Sequence, residues 1–458
     1  MLGIRNKLFC KLNISPIKKN IMKLSSGTIF GQCISIIMIP ILTHLYGPAA
    51  FGDLAIIQST VIIINTFSDL GLTNCLMISK NEEDMEKIYK VIIFSVSSVS
   101  ILFSLLYLLI SPLFKLVNVG GNVQFIALLM IVAIFTTKQI QVGSTWLNRK
   151  CAYNVLLWNP IISSSIYSIM SIVLELSGYE TYGLLMAWVI AQFVTLLHII
   201  RHIPKMKTRL SFDGFKGIMI EYRHFVIYQM PTNVVISIRY QLPVFLIKAF
   251  FNSTILGYYS MTIRILQVPI SLVAGAIGTV FFKTISDMSR KGQEIGQFVY
   301  SNINKVMKIA VIPMFLAVSV GDIIIEFFLG SQWATTGVYL RILGIQNLFL
   351  FLVTACGGLS VVLKKQHIAF IINIFQSIGL IAAIILGKLL FDEILISLIL
   401  SVAVYIVLNI IFFSIMFKAM QVSVRKYLKI VSLYFIVMIV LAEILRIFLY
   451  IFKLVGTI

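Results

Sequence analysis

The chain has 458 residues, 59% of them hydrophobic and only 12% charged, with 37 Lys and Arg against 17 Asp and Glu. Soluble domains carry about 25% charged residues, so this composition excludes a soluble globular protein, and it removes nucleic acid as the reason for the net charge of +20. What remains is an all-α polytopic membrane protein, built from apolar runs of about 20 residues that each cross the bilayer as a helix and satisfy their own backbone.

Residues 1–20, "MLGIRNKLFCKLNISPIKKN", form a basic cytoplasmic N-terminus, either an amphipathic helix on the inner surface or a mobile anchor. The apolar run that follows is too long for a cleaved signal peptide and lacks a small-x-small site. Spans are predicted at 21–46, 52–78, 88–112, 122–146, 153–176 and 181–200, which make an N-terminal six-helix bundle over 21–200. A cytoplasmic linker at 201–222 leads to spans at 223–248, 254–282, 303–328, 335–363, 367–388 and 393–417, a C-terminal bundle over 223–417. Residues 418–458 hold a cytoplasmic segment and about one further helix, 429–452. Glu443 and Arg446 stand there at i, i+3, read as one span with an internal ion pair in preference to a helix followed by an interfacial one.

Orientation follows from the basic residues. With a cytoplasmic N-terminus, most Lys and Arg fall on the inner side, and the outer side keeps only Lys115, Lys248, Lys388 and Lys453. Lys138, Arg239, Arg264, Arg341 and Arg446 lie within spans. The net charge is thus largely topogenic, facing anionic headgroups.

Enzyme chemistry has no place to stand. The chain has no Walker loop, Gly-rich phosphate cradle or nucleophile elbow, and its five cysteines make no CxxC. The acidic run "NEEDMEK" at 81–87 reads as a solvated cap ahead of a divalent-metal site. No catalytic residue, metal or cofactor is assigned.

The chain is internally duplicated. "PILTHLYGPAAFGDLAIIQSTVIII" at 40–64 and "PVFLIKAFFNSTILGYYSMTIRILQV" at 243–268 both run proline, span end, short outer turn, then a glycine opening the next helix, Gly52 and Gly257. An even number of spans per unit makes the repeats parallel, related by a pseudo-two-fold axis along the membrane normal.

Polar residues form stripes on several spans. At about 100° per residue, Tyr228, Gln229, Thr232, Asn233, Arg239 and Tyr240 share one arc of the seventh span. Ser260, Arg264, Gln267 and Ser271 line the eighth, flanked by Gly257, Gly275 and Gly278, small residues that allow close helix approach. Lys138, Gln141 and Thr145 mark the fourth. A charge at such depth costs roughly 2.5–3.5 kcal/mol on insertion scales, so these stripes are expected to line a wet cavity. The competing reading pairs the arginines with Asp69, Glu175 or carbonyls as helix ties. Asp69 is open between two roles, a site for a coupling proton or sodium ion and a partner for Lys138.

"HLYGPAAFGDLAIIQS", "SDLGL" at 68–72, "LGYYSMTIRIL" at 256–266 and "VYLRILGIQNLF" at 338–349 resemble the polysaccharide-export flippases of the O-antigen (Wzx) type. These belong to the multidrug/oligosaccharidyl-lipid/polysaccharide (MOP) exporter superfamily, together with lipid II flippases and multidrug extruders. The resemblance covers roughly the first 420 residues. It implies two six-helix bundles around a V-shaped cavity in the bacterial cytoplasmic membrane. It also implies translocation of an undecaprenyl-pyrophosphate-linked oligosaccharide for O-antigen, lipopolysaccharide or capsule assembly, in company with membrane lipid, a polysaccharide polymerase and a chain-length regulator. The thirteenth span departs from the twelve-helix pattern.

On that reading Arg239, Arg264, Lys138 and Arg341 bind the pyrophosphate or sugar, since arginine grips phosphate oxygens through paired charge-assisted hydrogen bonds. Arg341 lies nearer the outer end, where it can also snorkel. Tyr228, Thr232, Asn233, Tyr240, Ser260, Gln267 and Gln141 are the polar cavity lining. Two other functions make different demands on the sequence. A small-molecule exporter of the same superfamily should have a cavity dominated by carboxylates and aromatics, whereas the spans here hold more bases than acids. A glycosyl polymerase or ligase should carry a large outer loop, and none is present.

Overall fold

The computed structural model of the chain describes residues 16–79, 81–110, 122–179, 182–204 and 212–455. The N-terminal residues 1–15, the outer connection at 111–121 and part of the expected linker, 205–211, lie outside them. Among the described residues there are helices and no strands, and 13 helices are long and apolar enough to cross a membrane.

In chain order these are α1 (Pro16–Leu45), α2 (Pro48–Ser68), α3 (Glu82–Ile110), α4 (Val123–Arg149), α5 (Tyr153–Leu176) and α6 (Gly183–Ile200). A short α7 (Phe212–Glu221) precedes α8 (Phe225–Phe250) and α9 (Ser253–Arg290). The chain continues through α10 (Gly296–Leu329), α11 (Ala334–Ala355), α12 (Gln366–Phe391), α13 (Ile394–Ala419) and α14 (Val424–Val455). In α9 the ladder widens to a π turn at Ile270–Ala274 directly after Pro269, whose missing N–H interrupts the regular bonds.

Local chemistry sets several helix starts. Asn122 accepts from the amides of Gln124 (2.9 Å) and Phe125 (3.3 Å), and Asn252 from that of Ile255 (2.8 Å). The acidic run at 81–87 is the start of α3: Asn81 accepts from the Asp84 amide at 2.8 Å, and Glu82, Glu83 and Asp84 occupy the first turn, where helix-end polarity favours them. Among the described residues no group of three or more His, Cys, Asp or Glu is placed to hold a metal.

The chain divides into two compact units, one of residues up to Tyr46 with Asp53–Phe245, the other of Gly47–Gly52 with residues from Leu246 onward. The boundary therefore falls inside α8, whereas the sequence reading placed it in the 201–222 segment with 223–417 as the second bundle. The reason is that α8 gives Asn233 and Ser237 to a cavity shared with α2 and α4. The 201–222 segment is also more than a linker, because its α7 buries Ile218, and Tyr222 just beyond, in the first unit's core with Leu76, Ile88 and Trp146. Arg149 at the end of α4 fixes the turn after α2 by donating to the carbonyls of Leu76 and Ser79.

The second unit opens on a close backbone crossing. A Cβ on Gly52 would fall on the carbonyl oxygen of Ser253, and one on Gly257 on that of Pro48. The contact is reciprocal, each glycine meeting the residue four positions before the other. Gly278 packs likewise against the Thr354 carbonyl, whereas a Cβ at Gly275 meets nothing nearer than the Ile270 oxygen at 3.8 Å, so Gly275 is not a packing glycine here. Beside the crossing, Phe51 packs edge-on to Trp333 (5.2 Å) and Tyr258 to Tyr339 (6.2 Å).

Within the C-terminal region, Val424–Val455 form one continuous helix, α14. Its charged pair is not internal: Arg446 reaches Asp322 of α10 at 2.9 Å, and Glu443 faces Arg341 of α11 at 3.7 Å. Each thus finds a partner on a packed neighbour instead of along its own helix.

Candidate functional site

The first unit contains a partly open cavity of about 630 Å³. From α2 come Gln58, Asn65 and Thr66, and Asp69 follows at its end; the connection after it adds Thr73 and Asn74. Thr137, Lys138 and Gln141 project from α4, Trp188 from α6, and Asn233 and Ser237 from α8, with Val61, Ile62 and Ile236 as apolar wall. Asn65 and Asp69 stand four apart on α2, as do Asn233 and Ser237 on α8, so each helix presents one face to the same space.

At the cavity wall sits a buried ion pair. Lys138 Nζ lies 3.0 Å from Asp69 Oδ2, and the two side chains are 5% and 4% exposed. The chain reverses immediately after Asp69 through left-handed Leu70 (φ 55°) and Gly71 (φ 76°). That reversal turns the Gly71 and Thr73 amides onto the carboxylate, each at 3.2 Å, and the Thr73 hydroxyl donates to it as well. Asp69 therefore has four partners, whereas Lys138 is held by Asp69. Of the two roles open to Asp69, the structure contains the pairing with Lys138.

Around the pair runs a neutral polar network. Asn65 donates to the Thr137 hydroxyl (2.6 Å), the hydroxyls of Thr66 and Ser237 meet at 2.7 Å, and Gln229 donates to Asn233 (3.0 Å). Of the residues expected at a substrate site, Lys138, Gln141, Asn233 and Asp69 are brought together here.

The others are not. On α8, Tyr228 and Tyr240 are exposed, and the Thr232 hydroxyl bonds back to the Tyr228 carbonyl (2.7 Å). Arg239 lies over the Tyr240 ring at 5.4 Å. It stands two residues past Ser237, about 200° around the helix, and so faces away from this cavity. In the second unit Arg264 lies over the Phe51 ring at 5.8 Å, Ser260 bonds the Gly257 carbonyl (3.0 Å), and Gln267 is exposed. Arg341 lies outside this cavity, its Nε donating to the Val318 carbonyl (3.2 Å) while Glu443 faces its guanidinium at 3.7 Å. The acid that draws it there belongs to α14, outside the twelve-helix pattern.

Eight polar or aromatic cavity residues carry no expectation from the sequence: Gln58, Asn65, Thr66, Thr73, Asn74, Thr137, Trp188 and Ser237. Asn65 and Thr66 carried a usable signal, since with Asp69 they extend one polar stripe along α2. Trp188 carried none.

Residues 41–337 match the family model described as polysaccharide biosynthesis protein. Over 342 residues the chain is 22% identical to the succinoglycan biosynthesis transport protein ExoT of Rhizobium meliloti (strain 1021), an alignment that covers 73% of this chain and 67% of that protein. Among solved structures, the lipid II flippase MurJ in an inward closed conformation is similar with a TM-score of 0.69 at 15% identity, over 94% of this chain and 99% of the other. An inward-facing multidrug resistance MATE family transporter of the MOP superfamily is similar with a TM-score of 0.62 at 13% identity, over 90% and 98%. At these identities the likeness to the two structures is one of fold.

Proposed function

Because the chain belongs to the polysaccharide biosynthesis protein family, we propose that it is a flippase for undecaprenyl-pyrophosphate-linked oligosaccharide repeat units. It moves them by alternating access from the cytoplasmic to the outer leaflet of the bacterial inner membrane, with its own N-terminus cytoplasmic. The product serves O-antigen or capsule assembly, passing to a polysaccharide polymerase and its chain-length regulator.

The observation that carries this reading is a roomy cavity inside a membrane-spanning unit, whose polar lining residues are mostly amides and hydroxyls. Such groups are costly among lipid-embedded helices and are kept where a hydrophilic cargo must cross. A cation exporter would need a surplus of carboxylates, whereas the charged lining here is Asp69 balanced by Lys138. Arg239 and Arg264 act on the pyrophosphate, which a guanidinium binds through two parallel hydrogen bonds while staying charged. An entering proton or sodium ion drives the cycle at Asp69, where it competes with Lys138.

Reconstitution tests the proposal. Proteoliposomes loaded with a fluorescent undecaprenyl-pyrophosphate oligosaccharide should expose the internal pool to an impermeant lectin at a rate set by the protein. A rate equal to that of protein-free liposomes would sink the assignment.

A further inference from the structure

The cavity of the first unit has a chemistry that the pyrophosphate does not explain. Its charged lining consists of one base and one acid, Lys138 and Asp69, bonded to each other and almost wholly buried. A phosphate entering here would meet a carboxylate beside the only lining cation, and gripping Lys138 would strip Asp69 of its counter-charge. The site as a whole is neutral.

What it offers instead is suited to sugar hydroxyls. An alcohol both donates and accepts, and a side-chain amide does the same, so amides match hydroxyls at either polarity. Gln58, Asn74 and Gln141 line the cavity, and among the described residues none of these three amides is engaged by a hydrogen bond. Trp188 is partly exposed and lines the same space. An indole face of that kind packs against the C–H face of a pyranose while the ring hydroxyls reach polar groups at its edge. A volume of about 630 Å³ falls within the size of small-molecule sites.

We infer that this cavity is a glycan subsite, which binds the uncharged hexose portion of the lipid-linked oligosaccharide with Trp188 as stacking platform and leaves the pyrophosphate outside. The inference rests on the flippase reading and adds to it a division of labour: amides and an indole select the sugar, and guanidinium groups elsewhere take the anion.

The test uses full-length protein in lipid nanodiscs and three probes. These are undecaprenyl pyrophosphate, the same lipid bearing a neutral hexose trisaccharide, and the same lipid whose trisaccharide ends in a uronic acid. Wild-type protein should prefer the neutral glycolipid over the sugar-free lipid by about tenfold, the size of a stacking contact with its hydrogen bonds. Trp188→Ala should abolish most of that preference, Trp188→Phe should keep most of it, and Gln141→Ala should lower it. Asp69→Asn unpairs Lys138 and should turn the preference toward the uronic acid. Because Asp69 also braces the turn at Gly71, the Trp188 pair of variants decides the matter if Asp69→Asn does not fold. A preference unchanged in both Trp188→Ala and Gln141→Ala overturns the subsite, as does equal wild-type binding of sugared and sugar-free lipid; either result leaves translocation standing. Wild-type protein that binds none of the three lipids overturns both the subsite and the flippase reading.

Discussion

In the first unit the intramembrane charges Lys138 and Asp69 are buried, bonded to each other, and surrounded by neutral polar groups from α2, α4, α6 and α8. The spans of the second unit hold more arginine, Arg264, Arg341 and Arg446 against Arg239 in the first, yet Arg341 and Arg446 reach partly exposed acids and tie α14 to α11 and α10. A charge within a span is therefore a poor marker of a site by itself. Convergence of uncharged polar side chains from several helices is what separates a cavity from a brace. Close backbone packing is common to both, at Gly27 and Gly31 in the first unit and at Gly52 and Gly257 in the second, so it is the buried charge balance that sets the first unit apart.

The largest effect expected is at the glycine crossing. Gly257→Leu should reduce membrane abundance by about tenfold or more, because added atoms would collide with backbone that cannot retreat; Gly275→Leu, where a Cβ meets only an ordinary contact at 3.8 Å, should express normally. Immunoblotting of membranes compares the two, and equal abundance would remove the second unit's side of that shared packing. Next comes Asp69→Asn, which leaves Lys138 buried without its counter-charge and should cost about 3–5 kcal/mol, read as a fall in melting temperature in detergent. Lys138→Met should cost less, because Asp69 keeps its donors from Gly71 and Thr73. The reverse order would show that Lys138 has the better alternative partners. A smaller effect on stability and a larger one on export are expected at the arginines. Arg239→Lys and Arg264→Lys should be partly defective and the alanine variants nearly inactive in surface polysaccharide at unchanged abundance. Wild-type polysaccharide from a well-expressed Arg239→Ala, Arg264→Ala double variant would remove both from the headgroup path. Smallest of all, Arg446→Ala should cost about 1 kcal/mol or less, as expected for a partly solvated pair, with export intact.

The membrane helices were legible because each long apolar run must become a helix in lipid. Their ends were less so. Helix α9 runs on to Arg290 and α10 begins at Gly296, beyond the 282 and 303 expected, since a helix need not stop where the apolar stretch does. Lys138, Gln141, Asn233 and Asp69 could be read as site residues because each is anomalous on its own helix. Trp188 could not, since a tryptophan in an apolar span looks like any other bulky residue until the fold brings α6 to the cavity that α2 and α4 also line. One helical arc of α8 spans both Asn233, which lines the cavity, and Arg239, which is not among its lining residues. The pairing of Arg341 with Glu443 was not legible, because the two lie about 100 residues apart on helices whose contact no local periodicity reveals.

The reciprocal contact between Gly52 and Gly257 also bears on how the protein can change over generations. At most packed sites an enlarged residue is rescued by a smaller neighbour, but here the neighbour of each glycine is a peptide carbonyl, which no codon can shrink. A Gly257→Ala allele should therefore draw its revertants from changes that shift a whole helix, such as insertions or prolines at the Phe251–Asn252 connection. Residues facing the glycine should be absent among them, and lineages should keep the two glycines as a unit while the side chains around them drift.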